Sequence, residues 1–112
     1  LAKMIGISRT KNIIMRGKRL SGEEAYELGI ACELVDKVDL ENMTQKLVKE
    51  LASVSPLAQR TIKSVLNATQ NATLHTSIDL EGEAYGRLRS SNDFKEGVKS
   101  FSEKRPPSYK GN

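Results

Sequence analysis

Asp93-Phe94-Lys95-Glu96-Gly97-Val98-Lys99-Ser100-Phe101-Ser102-Glu103-Lys104-Arg105-Pro106-Pro107-Ser108-Tyr109-Lys110-Gly111 is the stretch on which the reading of this chain turns. Phe94, Val98 and Phe101 recur at spacings of four and three, which puts them on one helical face. The helix predicted here must end before Pro106, because the residue ahead of a proline is pushed out of the helical region. It therefore runs out into two adjacent cations, Lys104 and Arg105, with a third, Lys110, a few residues on. An aromatic ring one turn ahead of a cation suits a nucleotide handle. The ring at Phe101 offers a face for a base, and Lys104 a charge-assisted bond to a phosphate. Spacing alone favours a plainer arrangement, in which Phe101 continues the core stripe and the cations oppose the negative end of the helix dipole.

Working back from that tail, Asn92 is placed to cap its helix. A helix from about Thr76 to Arg89 precedes it, with Ile78, Leu80, Ala84, Tyr85 and Leu88 on its apolar side. Ser55-Pro56 is an N-cap followed by a proline at the first helical position, starting a helix whose inner face holds Leu57, Thr61, Val65 and Ala68. Polar residues from Asn67 to Thr73 read as the loop after it. Asp39 is placed to cap a helix with Leu40, Met43, Leu47, Val48 and Leu51 along a stripe to be buried. Nearer the start, Ser21 and Glu24 form an S-x-x-E capping box for a helix that stops at Gly29. Ser8 is placed to cap a first helix carrying Ile13, Ile14 and Met15, with Gly17 at its exit. Between Ile30 and Val38 the short apolar run around Leu34 and Val35 suits a single edge strand. The expectation is a mainly α chain of six short helices and one short strand. No repeat or low-complexity linker marks a domain boundary.

Composition limits the function classes. The chain is 38% hydrophobic and 29% charged, with no apolar run near the roughly 20 residues needed to span a bilayer. No membrane partner is expected. The net charge of +4 and pI of about 9.3 suit an acidic partner. The cations are scattered rather than gathered in a basic arm, which disfavours nucleic acid. A single Cys32 leaves no internal disulfide, and no signal peptide opens the chain, so a reducing, cytoplasmic setting is favoured. Aromatic residues are only 4% of the chain, so its core must rest on aliphatic side chains.

Other sites are weaker. His75 is the sole histidine and has no second ligand at metal spacing; a surface or capping role is expected. Cys32, in an apolar setting, reads as a small buried thiol. Asp79, Glu81 and Glu83 read as acidic residues opening a helix, where they favour its dipole. Glu23 and Glu24 have the same role after Ser21. Gly17, Gly22 and Gly29 are too far apart for a dinucleotide fingerprint, and no Gly-Lys-Ser/Thr run forms a phosphate loop.

Taken together, Asp93 to Gly111 and the earlier run Gly17-Lys18-Arg19-Leu20-Ser21-Gly22-Glu23-Glu24-Ala25-Tyr26-Glu27-Leu28-Gly29-Ile30 resemble two segments of the enoyl-CoA hydratases, the crotonase family, in the right order. Ser55-Pro56-Leu57-Ala58 with Thr61, Lys63 and Asn67, and Leu80-Glu81 with Ala84, are similar to the family's intervening helices. The resemblance covers the chain from Leu1 to Asn112 and implies the C-terminal helical part of a crotonase-like ββα-superhelix α/β fold. In this reading residues 1–70 form the end of the core and residues 71–112 a helical trimerisation segment. It implies a coenzyme A thioester as substrate, no cofactor or metal, and a homo-oligomer, a trimer or dimer of trimers. Phe101 and Lys104 match the family's contacts to the adenosine-phosphate end of coenzyme A. Arg105 is a weaker candidate, as are Tyr109 and Lys110. No catalytic residue is matched: the family's oxyanion amides and proton-handling acids lie N-terminal to the matched part. The chain is therefore expected to be part of a longer protein, whose compartment is mitochondrial if a transit peptide precedes it.

Overall fold

Helix caps set out the fold, and the capping chemistry explains where each helix starts. In a computed structural model, which describes residues 1–112, seven helices follow one another: α1 Ala2–Ile5, α2 Ile7–Met15, α3 Gly22–Glu27, α4 Leu40–Ala52, α5 Pro56–Thr69, α6 Leu74–Arg89 and α7 Asn92–Ser102. The chain is mainly α, as expected, with one helix more than predicted and no strand. It divides into two compact units, Leu1–Thr44 and Gln45–Asn112, and the division falls inside α4.

In the first unit α1 packs on α2. Gly6, at φ 80°, separates them and stands at the N-cap of α2. Ser8, the expected cap, is thus already helical. Ile5 is buried beside Thr10, whose hydroxyl donates back to the Gly6 carbonyl at 2.9 Å. The capping box of α3 forms as the sequence specifies. Ser21 Oγ accepts the Glu24 N–H at 3.1 Å, and Glu24 Oε2 accepts the Ser21 N–H at 3.0 Å.

The expected strand between Ile30 and Val38 does not form. The N–H groups of Ile30 and Ala31 both turn back to the Ala25 carbonyl, at 2.8 and 3.1 Å, leaving no ladder to extend. Leu34 instead folds over α3, its Cδ1 at contact distance from where a Cβ would stand on Gly22.

The second unit is built on α5, α6 and α7. α5 packs on α6, and α6 on α7. Ser55 Oγ accepts the Ala58 N–H at 3.1 Å with Pro56 at the first helical position, as its dipeptide requires. α5 then continues through Thr69, past the Asn67 where a loop was expected. α6 begins two residues earlier than Thr76, because Thr73 Oγ1 accepts the Thr76 N–H at 3.2 Å and is the true cap. Asp79, Glu81 and Glu83 consequently lie beyond the first turn, and their dipole role falls away. α7 is capped by Ser91, whose hydroxyl accepts the Phe94 N–H at 3.0 Å, which makes Asn92 the first helical residue instead of the cap.

The apolar stripes are present but only partly covered. Ile5 and Ala84 are the only buried hydrophobic residues, at 7% and 5% exposure. On α4, Leu40, Val48 and Leu51 are more than half exposed, while Met43 and Leu47 are partly covered: the stripe has its predicted spacing but is not buried. On α6, Ile78 and Tyr85 are also exposed, and only Ala84 is buried. No helix is long and apolar enough to cross a membrane.

Candidate functional site

α7 and the tail behind it carry the site, and two carboxylates on one helix face organise it. Asp93 and Glu96 are three residues apart, so they stack on one side of α7. Glu96 receives the Arg105 guanidinium through both oxygens, Nη1 at 2.6 Å and Nη2 at 3.0 Å. Its Oε1 also accepts the Ser108 N–H at 2.8 Å. Asp93 Oδ1 accepts the N–H groups of Lys110 and Gly111 at 2.9 and 3.0 Å, and Asp93 N–H donates to the Asn112 carbonyl at 3.0 Å. The last residues of the chain are thus stitched back along the helix they have just left.

The same stitching reaches α5. Ser55 Oγ, already the α5 cap, donates to Asp93 Oδ2 at 2.6 Å, and Arg60 Nη2 donates to the Gly111 carbonyl at 3.0 Å. Tyr109 lays its hydroxyl 3.3 Å from the point where Gly97 would carry a Cβ. A side chain at that position would displace the ring. The hydrogen bond from Ser55 holds the Asp93 carboxyl below its ordinary range, against the opposing effect of burial. The Arg105 hydrogen bonds hold Glu96 at about 2, down from 4.5. Arg105 in turn is raised by its bonds to Glu96 and Glu103.

Beyond this buttress stands the tip. Phe101 is 87% exposed, so it does not continue the core stripe; Phe94 and Val98 lie below it. The three line an apolar groove of about 600 Å³ together with Val54, Tyr85, Leu88 and Tyr109. Lys104 follows one turn after Phe101, exposed, at φ 51°. Arg105 is differently placed: besides its two bonds to Glu96, its Nε donates to Glu103 at 2.6 Å and Nη1 also to the Pro106 carbonyl at 3.1 Å. Lys99 lies 4.0 Å from the same Glu103. Unlike Lys99 and Arg105, Lys104 pairs with no carboxylate.

Phe101 and Lys104 both stand exposed at the α7 exit, where the Lys104 N–H donates to the Phe101 carbonyl at 3.2 Å, and Arg105 turns inward to Glu96. Asp93 and Glu96 were not singled out in the sequence. Their signal was there in the D-x-x-E spacing on one helix face, but their partners lie in a tail and a cap far along the chain. Cys32 is exposed rather than buried, because the chain past α3 runs over the outside of its unit. His75 and Asp79, 3.5 Å apart, form an exposed pair one turn apart on α6.

Comparison with known proteins supplies the context. The family model described as enoyl-CoA hydratase/isomerase matches residues 1–112. The chain is 35% identical to the 1,2-epoxyphenylacetyl-CoA isomerase of Escherichia coli over 99% of its own length and 42% of the relative. It is 26% identical to the short-chain-enoyl-CoA hydratase of Clostridium acetobutylicum, over 94% of this chain and 40% of that one. The crystal structure of an enoyl-CoA hydratase from Bacillus anthracis superposes with a TM-score of 0.92 at 34% identity, covering 99% of this chain and 43% of that one. The chain spans about two fifths of the length of the curated relatives it matches. With seven helices in a fold that solved hydratases share, and a family match from its first residue to its last, the chain belongs to the enoyl-CoA hydratase/isomerase family.

Proposed function

We propose that residues 1–112 are the coenzyme-binding and subunit-contact part of an enoyl-CoA hydratase, which adds water across the 2,3 double bond of an acyl-coenzyme A thioester. The observation that carries this reading is the exposed Phe101 ring followed, one turn on, by a lysine that no carboxylate neutralises. Phe101 offers its face to the adenine and Lys104 its ammonium to the 3′-phosphate. Arg105 stays with Glu96 and acts on the ligand only through its neighbours. As the family resemblance implies, the backbone amides that polarise the thioester oxygen and the acids that move water and proton belong to segments outside 1–112, and no cofactor takes part. The exposed stripes of α4 and α6 support a homo-oligomeric contact, a trimer or a dimer of trimers.

Lys104→Ala in the full-length enzyme tests this. A well-formed hydrogen bond to a charged group is worth about 1.5–3 kcal/mol, less at an exposed tip where water and salt compete. The variant is expected to lose its preference for coenzyme A over 3′-dephospho-coenzyme A and to raise KM. Its kcat is expected to stay nearly unchanged, because the contact is the same in ground and transition states. An equal loss for both ligands, or a fall in kcat at constant KM, contradicts the assignment.

A second reading has its own support. The relative from Escherichia coli is an isomerase, as is the trans-2-decenoyl-[acyl-carrier-protein] isomerase of Streptococcus mutans, 34% identical over 99% of this chain. An isomerase acting on a coenzyme A thioester would use the same tip. Product analysis with a 2-enoyl and a 3-enoyl thioester separates the two.

A further inference from the structure

Three helix exits in this chain share one hydrogen-bond pattern, and the third differs in the residue at its turning point. After α2, Gly17 N–H donates to the Ile14 carbonyl at 3.1 Å and Lys18 N–H to Ile13 at 2.9 Å. After α3, Gly29 N–H donates to Tyr26 at 2.9 Å and Ile30 N–H to Ala25 at 2.8 Å. After α7, Lys104 N–H donates to Phe101 at 3.2 Å and Arg105 N–H to Ser100 at 3.1 Å. Each is a Schellman closure, whose reversing residue must be left-handed. Gly17 and Gly29 stand at φ 59° and 69°, and Lys104 at 51°. Lys104 is the only residue other than glycine with a positive φ. A side chain there crowds the following carbonyl, so the surroundings must hold it in place.

The residues on either side of Lys104 supply that hold. Glu103 is bonded by Arg105 Nε at 2.6 Å. Arg105 is gripped through both terminal nitrogens by Glu96, one face of α7 away. Glu96 also takes the Ser108 N–H, so the chain is pinned before and after the Pro106-Pro107 bend. At 21% exposure for Glu96 and 37% for Arg105, the pair is partly shielded from water and its two-pronged geometry fixes orientation. We propose that Glu96 is a positioning residue: by gripping Arg105 it holds Lys104 in its left-handed turn, and so fixes the lysine at the α7 exit, one turn past Phe101, for a phosphate. The inference rests on the assignment of Lys104 to the coenzyme and extends it to a residue that touches no ligand.

The test uses the full-length enzyme with Glu96→Gln, Lys104→Ala and the double variant. Amide hydrogen exchange is followed across residues 103–111. KM and kcat are measured with 2-enoyl thioesters of coenzyme A and of 3′-dephospho-coenzyme A. Glu96→Gln is expected to accelerate exchange at Lys104 and Arg105 by about tenfold or more. It should raise KM for the phosphorylated thioester about fivefold, leave the dephospho KM and kcat within about twofold, and add nothing on top of Lys104→Ala. Unchanged exchange overturns the proposal, as does an equal KM rise for both thioesters or an effect that persists in the Lys104→Ala background. If exchange rises but Lys104→Ala itself keeps the phosphate preference, the coenzyme reading fails while the grip of Glu96 on the turn stands. Arg105→Lys, which keeps the charge and loses the two-pronged contact, is expected to show the same pattern more weakly and serves if Glu96→Gln fails to assemble.

Discussion

Glu96 and Asp93 show how much a single carboxylate can organise when its partners are backbone N–H groups and a planar guanidinium. Both carboxyls titrate below their ordinary range, Glu96 held there by Arg105 and Asp93 first by Ser55. A folded-state value lower than the unfolded one means that the stabilisation is complete above the unfolded value of 4.5 and is lost as pH falls from there through about 2. The Ser108 amide, which donates to Glu96, reports this directly. Its NMR shift in the full-length enzyme is expected to titrate near 2 rather than 4.5. Arg105→Ala should move that midpoint upward, because the largest cause of the depression is gone. A midpoint near 4.5 in the unaltered protein would show that the pair does not form. Little of this was legible beforehand. Ser55 reads as a cap because capping is local chemistry, whereas its bond to Asp93 joins residues 38 apart, and no local pattern announces such a meeting.

At the scale of the element, the helix ends were the best-marked features, and the misplaced ones share a cause. Ser21 with Glu24, Ser55 with Pro56, and the exits at Gly17 and Gly29 stand where their residue types put them. Ser8 apart, where Gly6 stands at the cap with no side-chain bond, the errors at Thr76 and Asn92 arose where two capping residues lie close together, as Thr73 with Thr76 and Ser91 with Asn92. Local preference then allows either, and the hydroxyl that reaches the third amide decides. The strand was misread because four to eight apolar residues suit a strand or a packed coil alike. The three matched exits also give a stability prediction. Nothing lies within 4 Å of a Cβ built on Gly29, so Gly29→Ala carries only the left-handed backbone penalty, about 1–2 kcal/mol. Lys104→Gly relieves the same penalty, offset by the greater freedom of glycine in the unfolded chain, about 0.5–1 kcal/mol. The full-length enzyme is therefore expected to lose stability with Gly29→Ala and gain up to about 1 kcal/mol with Lys104→Gly in a denaturant titration. Destabilisation by Lys104→Gly would mean that the lysine stem contributes packing at the exit.

For the whole molecule the informative quantity is the surface left in water. Val48 and Leu51 on α4, Ile62 and Leu66 on α5, and Ile78 on α6 are each more than half exposed, apolar surface of the kind that contacts cover. Their spacing was legible in the sequence, but what covers them was not, because an amphipathic stripe specifies a partner surface without saying which chain provides it. Residues 1–112 made alone are therefore expected to self-associate in a concentration-dependent way, seen by sedimentation and by binding of a dye for exposed apolar surface. They should also show no turnover of crotonyl-CoA above the uncatalysed rate, since the proposed chemistry draws its oxyanion amides and acids from outside them. The two readouts fail separately. A dilute, dye-silent monomer would mean that the helices cover one another in solution, contradicting the exposed stripes. Turnover that survives further purification would instead place catalytic groups within 1–112, and with them the reaction that Phe101 and Lys104 are proposed only to anchor.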